Sequence, residues 1–197
     1  MNTTDPFADL KQRQREMWAS FAPTALFTTP VAAQVVNFAR VQPGESVLDV
    51  GTGTGVLAIA AAKALRRPVL ASDIDARAVA IARDNARINR VGALVRVMHA
   101  AGLHAAPLRA RAPYGLIFAN ILLDPLKALA TPMARLVTAN GQIVLSGLLA
   151  AQAGAAIASY RARGLALVRR ITLEGWATLV LVRPARKRMA KRGRAGV

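Results

Sequence analysis

The chain has 197 residues, of which 54% are hydrophobic, and its 27 Lys and Arg against 10 Asp and Glu give a net charge of +17. This length fits about one domain, and the apolar content excludes a disordered polymer. The lack of cysteine excludes disulfide scaffolds, thiol catalysis and thiolate zinc sites. The only histidines, His99 and His104, are expected on the surface, and no metal site is predicted.

The positive charge favours an anionic partner such as RNA or the ribosome. Seven basic residues and no acid lie between residues 183 and 197, and the rest of the chain still carries +10. A composition rich in Arg and Ala also follows from GC-rich coding, so the charge alone leaves the partner open. Residues 184–197 are expected to form a disordered basic tail. The N-terminus lacks an apolar signal region and no apolar run is long enough to span a membrane, which predicts a cytoplasmic protein.

Short β-rich runs alternate with helical periods along the chain. Two cap helices are expected within residues 1–45, at 5–20 and 29–40. The elements predicted after them are, in chain order, a strand at 46–50, a helix ending near 65, a strand at 68–72, a helix capped by Asp75 and ending near 90, strands at 94–98 and 115–120, a helix at 124–138, a turn at 140–141, a strand at 142–146, a helix at 149–163, and strands at 165–173 and 176–182.

The alternation of strands and helices predicts a parallel sheet covered on both faces. The last two strands are joined only by Glu174 and Gly175, so they must be antiparallel. We therefore expect an α/β three-layer sandwich over residues 46–183, with a seven-stranded, mostly parallel sheet whose last strand is antiparallel. Trp176 is expected in the core of the closing hairpin.

A glycine loop follows the first strand of this domain, in the sequence VLDVGTGTG at residues 47–55. Gly51, Gly53 and Gly55 would let the backbone turn sharply and approach a ligand closely. The spacing differs from the dinucleotide fingerprint G-x-G-x-x-G, because Val56 stands where the third glycine would be. The Gly-Lys-Ser/Thr loop of phosphate-binding proteins does not occur in the sequence either.

Two carboxylates narrow the choice of ligand. Asp49 lies just before the first glycine, where it would oppose a pyrophosphate but suit a cationic amine. Asp73 follows Gly51 by 22 residues, the spacing at which an acid reaches a pair of ribose hydroxyls. S-adenosylmethionine combines a ribose with cationic groups and has no diphosphate, so it fits this pattern. The alternatives are a strand-end cap for Asp49 and a helix N-cap for Asp73.

The glycine loop, followed by ASDID at residues 71–75, resembles the class I S-adenosylmethionine-dependent methyltransferases. Three later segments are similar to the catalytic domain of the bacterial methyltransferases of ribosomal large-subunit protein eleven. These segments are FANILLDPL (118–126), LSGLLAAQ (145–152) and EGWATLVL (174–181). The likeness covers about residues 47–182 and implies a Rossmann-like methyltransferase fold.

The resemblance also implies a role for individual residues. The cofactor would be held by Asp49, Gly51, Thr52, Gly53, Gly55, Asp73, Ile74 and Asn120. Asn120 would also be the catalytic residue, because its side-chain carbonyl could accept a hydrogen bond from a substrate amine. Asp124 is either a base or, more simply, the N-cap of the following helix. Ala101 occupies the position where the family commonly carries an acid for the adenine amino group.

The combined prediction is an S-adenosylmethionine-dependent methyltransferase that N-methylates a protein amine. A small-molecule methyltransferase, an RNA methyltransferase and a non-catalytic binding module of the same fold remain alternatives. Full-length members of the family carry a separate N-terminal substrate-docking domain, for which residues 1–45 are too short. Trp18 and Phe21 in that segment would form either a lid or an apolar packing face. The basic surface and tail could contact the ribosome or RNA, and the alternative for the tail is a solvated extension.

Overall fold

The computed structural model describes residues 45–185. The predicted cap helices, with Trp18 and Phe21, lie outside the described residues, as does the tail beyond residue 185. Between these limits the chain forms one α/β unit.

Seven strands form a single sheet in the described part of the chain. They are β1 (Ser46–Val50), β2 (Val69–Asp73), β3 (Val95–His99), β4 (Tyr114–Asn120), β5 (Val137–Leu149), β6 (Ala166–Leu173) and β7 (Trp176–Val182). The α-helices between them are α1 (Val56–Leu65), α2 (Ala76–Ile88), α3 (Ala106–Ala110), α4 (Leu123–Leu136) and α5 (Ala153–Arg161).

The strand order is β3-β2-β1-β4-β5-β7-β6. The first five strands are parallel to one another, and β7 pairs antiparallel with both β5 and β6. The sheet therefore confirms the predicted mostly parallel topology with its last strand reversed. Because the helices connect parallel strands, they begin at the carboxyl edge of the sheet and end at its amino edge.

Each face of the sheet buries its own apolar cluster. On one face, small residues of α1 and α2, such as Ala58 and Ala82, pack on β1, β2 and β3. On the other face, α3, α4 and α5 pack through larger side chains, among them Leu126 and Tyr160. The buried Tyr160 hydroxyl donates to the Leu126 carbonyl oxygen at 3.0 Å, which joins α5 to α4. The strand residues are apolar on both faces for this reason.

Three features differ from the prediction: one helix was not predicted, a predicted turn lies within a strand, and β5 (Val137–Leu149) extends beyond the strand predicted at 142–146 at both ends. The single-turn helix α3 was not predicted, because five residues are too few to display a helical period. The turn predicted at residues 140–141 lies inside β5, which begins at Val137. Asn140 has a φ of 62°, so the chain does bend there, but its amide donates to Arg183 and keeps the segment paired to the end of β7.

Within residues 45–185, no helix has both the length and the apolar character required to cross a bilayer.

Candidate functional site

A cavity of about 610 Å³ opens at the carboxyl edge of the sheet, beside the ends of β1, β2 and β4. Seven of the eight residues predicted to hold a cofactor line it: Asp49, Gly51, Thr52, Gly53, Asp73, Ile74 and Asn120. Gly55 is the exception. The topology explains this convergence, since the carboxyl ends of neighbouring parallel strands form a crevice at this edge.

The glycine loop turns between β1 and α1 with Gly51, Gly53 and Gly55 all at positive φ, between 55° and 88°. The amides of Gly51 and Thr52 both donate to the Ser72 carbonyl oxygen, at 2.8 and 3.0 Å, so the loop is tied to the end of β2. A Cβ at Gly53 would meet nothing within 4 Å. The loop therefore exposes its backbone to the cavity at the place where a ligand could approach it closely.

Gly55 serves packing instead of lining the cavity. A Cβ at this position would lie 3.1 Å from the Ala82 Cβ of α2. Its carbonyl oxygen accepts the first helical hydrogen bond of α1, from the Ile59 amide at 2.8 Å. The third glycine thus lets the start of α1 sit against α2.

Asp49 lies at the cavity wall and is 1% exposed. Its Oδ2 accepts hydrogen bonds from the Thr52 hydroxyl at 2.6 Å and from the Ala58 amide at 3.1 Å. Its Oδ1 is buried and has no hydrogen-bond partner among the described residues. An unpartnered carboxylate oxygen at a cavity wall fits a ligand that brings a cationic N–H group.

Burial raises the pKa of Asp49 from its ordinary value of 3.8 to about 6. The hydrogen bonds from Thr52 and Ala58 oppose this shift, and the nearby charge of Asp73 adds to it. Desolvation dominates because the carboxylate has lost most of its water without gaining a cation. A bound cation would reverse this balance and favour the ionised form.

Asp73 ends β2 and holds the glycine loop in place. Its Oδ2 accepts from the Gly53 amide at 2.8 Å, and its Oδ1 accepts from the Asp75 amide at 2.9 Å. Each oxygen can accept a further hydrogen bond, so the carboxylate can still bind a pair of ligand hydroxyls. The N-cap of α2 is Asp75, whose side chain accepts from the Arg77 amide, so Asp73 is not that cap.

Asn120 ends β4 and pairs with Ser146 of β5. The residue after Ser146 is Gly147, at a φ of 75°, and a Cβ there would lie 2.6 Å from the Asn120 Oδ1. The glycine therefore leaves room for the side-chain carbonyl of Asn120. The segments ANIL and LSGL, which are far apart in sequence, meet at this point of the cavity wall.

Asp124 is not the N-cap of the helix that contains it. Helix α4 begins at Leu123 with Leu122 at its N-cap position, so Asp124 already lies in the first turn. Its side chain is 81% exposed, and its Oδ1 lies 3.3 Å from the Lys127 Nζ. The N-cap prediction was wrong because the helix starts earlier than its Asp-Pro pair indicates.

Trp176 is a site residue that the sequence did not indicate. The side chain was expected in the core, yet the residue is 51% exposed and lines the cavity from the first position of β7. The alternation in β7 does not reveal this exposure, because Ala177, Leu179 and Leu181 are buried on one face and Val180, on the same face as Trp176, is buried as well. The remaining apolar wall comes mainly from α4 and the residues before it, with Leu122, Pro125, Ala128 and Leu129.

The two histidines lie on the surface. His99 is exposed, with its Nε2 2.9 Å from the Ile74 carbonyl oxygen, and His104 is exposed after β3. In the part of the chain that the structure describes, no three His, Cys, Asp or Glu side chains are grouped so as to hold a metal ion. Ala101 is exposed, while its neighbours Ala100 and Gly102 line the cavity.

Known proteins resemble this chain in sequence. A family model described as ribosomal protein L11 methyltransferase (PrmA) matches residues 26–184. A ribosomal protein L11 methyltransferase of Rhodopseudomonas palustris is 55% identical over 73% of this chain and 49% of its own length. One of Bradyrhizobium diazoefficiens is 58% identical over 69% of this chain and 46% of its own. The chain thus spans about half the length of these curated relatives.

Solved structures resemble it in fold. A ribosomal protein L11 methylase from Lactobacillus delbrueckii subsp. bulgaricus superposes with a TM-score of 0.71 at 28% identity, covering 80% of each chain. An RNA methyltransferase from Salinibacter ruber, solved with S-adenosyl-L-homocysteine, gives a TM-score of 0.63 at 20% identity over 82% of this chain and 95% of its own. The second likeness concerns the fold alone. The family model and the curated relatives together show that the chain belongs to the ribosomal protein L11 methyltransferase family.

Proposed function

We propose that this chain is the catalytic part of a cytoplasmic enzyme that transfers a methyl group from S-adenosylmethionine to an amine nitrogen of a ribosomal protein. The observation that carries the proposal is Asp49, a buried carboxylate at the cavity wall with one oxygen lacking a partner. Family membership supports the reaction class, and the name shared by the curated relatives supports a ribosomal protein as the acceptor.

The residues around the cavity fit this cofactor. Asp49 would accept hydrogen bonds from the ammonium of the methionine moiety, which supplies the partner that Oδ1 lacks. Asp73 would accept from the two ribose hydroxyls while it keeps the Gly53 amide bonded. Ile74, which is 71% exposed at the cavity, offers an apolar surface for the adenine ring. When bound, S-adenosylmethionine supplies a methyl group on a positively charged sulfur, which is open to attack by a nucleophile.

Asn120 would orient the acceptor. Its Oδ1, for which Gly147 leaves room, can accept an N–H of the attacking amine and so aim the nitrogen lone pair into the cavity. Such alignment accounts for much of the rate enhancement of a displacement reaction, because the nucleophile and the methyl group are held in the reactive geometry and need not meet by diffusion.

An amine must also lose its proton before it can attack. Apolar side chains line the part of the cavity near Asn120, among them Ile121, Leu129 and Trp176. Surroundings of this kind disfavour the ammonium form and lower the pKa of a lysine or terminal amine. Asp124, the carboxylate nearest in sequence, is exposed and outside the cavity lining, so we assign it no role as a base. Water at the cavity mouth would take the proton.

Two measurements test the proposal. Titration calorimetry of the full chain with S-adenosylmethionine should give binding at tens of micromolar or tighter. Incubation with purified ribosomal protein L11 and cofactor labelled in the methyl group should then transfer label to the protein. Binding without transfer to that protein would overturn the proposed acceptor, and absence of binding would favour a non-catalytic module of the same fold.

A further inference from the structure

The positive charge of the described chain is concentrated at the end of the molecule opposite the cavity. Of the seventeen Lys and Arg residues between 45 and 185, twelve lie at or near the amino edge of the sheet. We call this the basic end. It comprises Lys63, Arg66, Arg67, Arg87, Arg90, Arg96, Arg109, Arg111, Arg135, Arg161, Arg163 and Arg183. All of them are exposed except Arg67, which is half-buried.

Acidic residues have the opposite distribution. Within residues 45–185, Glu45 and Asp84 lie toward the basic end, where Asp84 forms an exposed ion pair with Arg87 at 2.7 Å. The other five acids lie at the cavity end: Asp49, Asp73, Asp75, Asp124 and Glu174. A coding bias toward arginine raises the total charge, but it does not separate the two signs in space.

Helix stability explains only part of this pattern. Each of the five α-helices carries a basic residue in its last turn, where a cation interacts favourably with the helix dipole. Seven of the twelve basic residues lie outside those helices, in the connections, near the start of β3 or after β7. Arg183 caps α4 by donating to the Ala134 and Val137 carbonyl oxygens. Arg66 and Arg111 are the C-cap residues of α1 and α3, so they serve helix ends as well. The remaining four, Arg67, Arg90, Arg96 and Arg163, lie beyond the C-caps of the helices.

The sequence continues this charge beyond the described residues. β7 runs toward the amino edge, so the chain leaves the sheet at Arg183, within the basic end. Residues 186–197 then add six Lys or Arg residues and no acid. The basic residues 186–197 therefore follow directly from a residue of the basic end.

We propose that the basic end binds the phosphate backbone of RNA while the cavity at the other end stays open. Eleven of its twelve cations are arginines, whose planar guanidinium pairs with phosphate through two hydrogen bonds. Seven strands spaced about 4.8 Å apart give a surface about 29 Å wide, which spans several successive phosphates. The choice of RNA over other polyanions rests on the proposed function, because a ribosomal protein is made and assembled beside ribosomal RNA.

The apolar surface argues against a lipid membrane as the partner. Binding to a membrane interface combines cations with apolar side chains that enter the lipid. Of the eight large hydrophobic residues exposed in the described chain, two lie toward the basic end, Ile88 at the end of α2 and Val168 near the start of β6. Ile74, Leu122, Leu149, Leu173 and Trp176 lie at the cavity end instead.

The test measures, by fluorescence anisotropy, how tightly the full chain binds a fluorescein-labelled RNA hairpin of mixed sequence. Neither cofactor nor acceptor is present, so the result is independent of the proposed methyl transfer. The variant R109Q/R161Q removes two charges from the basic end, and the matched control R77Q/K127Q removes two from the cavity end. At 0.1 M salt we expect R109Q/R161Q to bind the hairpin about tenfold more weakly than the unaltered chain. The magnitude of the slope of log K against log salt concentration should also fall by about 1.5 in this variant. The affinity of the control should stay within twofold of that of the unaltered chain.

Folding is checked by thermal melting of both variants. If R109Q/R161Q is unfolded, R90Q/R96Q replaces it, because both of those residues lie outside the helices. Equal losses in the basic-end variant and the control would overturn the proposal, since binding would then follow net charge alone. It would also be overturned if the unaltered chain failed to bind the hairpin, or bound phosphatidylglycerol vesicles more tightly.

Discussion

The two ends of the sheet differ in charge, in exposed apolar surface and in the presence of a cavity. The carboxyl edge carries a cavity, five of the seven described acids and most of the exposed apolar side chains. The amino edge carries twelve cations and the ends of all five helices. In a parallel α/β fold, the position of a residue within its strand-helix unit determines whether it lies at the carboxyl edge or at the amino edge of the sheet. Residues just after a strand belong to the cavity, and residues just after a helix belong to the opposite surface.

The largest effect at the cavity end is expected for Asn120→Ala. Loss of the oxygen that we propose orients the acceptor amine should lower the rate of methyl transfer about 100-fold. Cofactor affinity by calorimetry should stay within about threefold, because the carboxylates at positions 49 and 73 remain. Ser146→Ala, at the paired position of β5, serves as the control and should retain activity. Unchanged turnover in the Asn120→Ala variant would show that this residue has no role in the reaction.

Asp73→Ala should weaken cofactor binding about 50-fold. The variant loses acceptors for two hydroxyls and also releases the Gly53 amide that positions the loop. Asp75→Ala is the matched control, because it lies two residues away in the same turn but caps α2. The control should cost about 1 kcal/mol of stability with little change in affinity. Equal affinities in calorimetry for the two variants would contradict the ribose assignment.

Asp49→Asn should separate binding from stability. The variant keeps an acceptor for Thr52 and Ala58 but cannot pair with a cation, so cofactor affinity should fall about tenfold. Because the folded-state pKa of about 6 exceeds the ordinary value of 3.8, the folded chain holds a proton that the unfolded chain releases in this range. The stability from that proton is fully present below pH 4 and lost as the pH rises through 6.

At pH 7 the ionised Asp49, whose buried Oδ1 lacks a partner, therefore destabilises the native state, and Asp49→Asn should raise the free energy of unfolding by about 1–2 kcal/mol. Urea unfolding between pH 4 and 7 checks this result, since the gain should shrink toward the acid end. A variant less stable than the parent at pH 7 would mean that the charge is needed for folding.

The smallest effect is expected for Trp176→Ala, which should raise KM for the acceptor about fivefold with kcat within twofold. The side chain supplies apolar contact at the cavity wall and no proton transfer. Trp176→Phe should restore most of the loss, and Val168→Ala, exposed on β6 and outside the lining, is the control. A change in cofactor affinity without a change in KM would assign the ring to the cofactor instead.

Sequence was sufficient for the elements whose signals are local. The strands are short apolar runs between turns, and the glycine loop with Asp49 and Asp73 follows from spacing alone. Helix α3 is too short to show a period, and the bend at Asn140 looks like a turn unless its pairing with Arg183 is known. Trp176 could not be placed because the cavity wall depends on how the last hairpin folds back beside β5.

Ile121 lies between the glycine loop and the segment at Gly147. Its side chain fills the space that a Cβ on Gly51 would need, and its backbone nitrogen and oxygen both lie 3.3 Å from where a Cβ on Gly147 would stand. A larger residue at Gly51 would displace the Ile121 side chain, and one at Gly147 would press first on the Asn120 Oδ1 and then on the Ile121 backbone. Attempts to change the acceptor of the proposed reaction should therefore leave both glycines unchanged and vary Pro125 and Leu129, which border the cavity from α4.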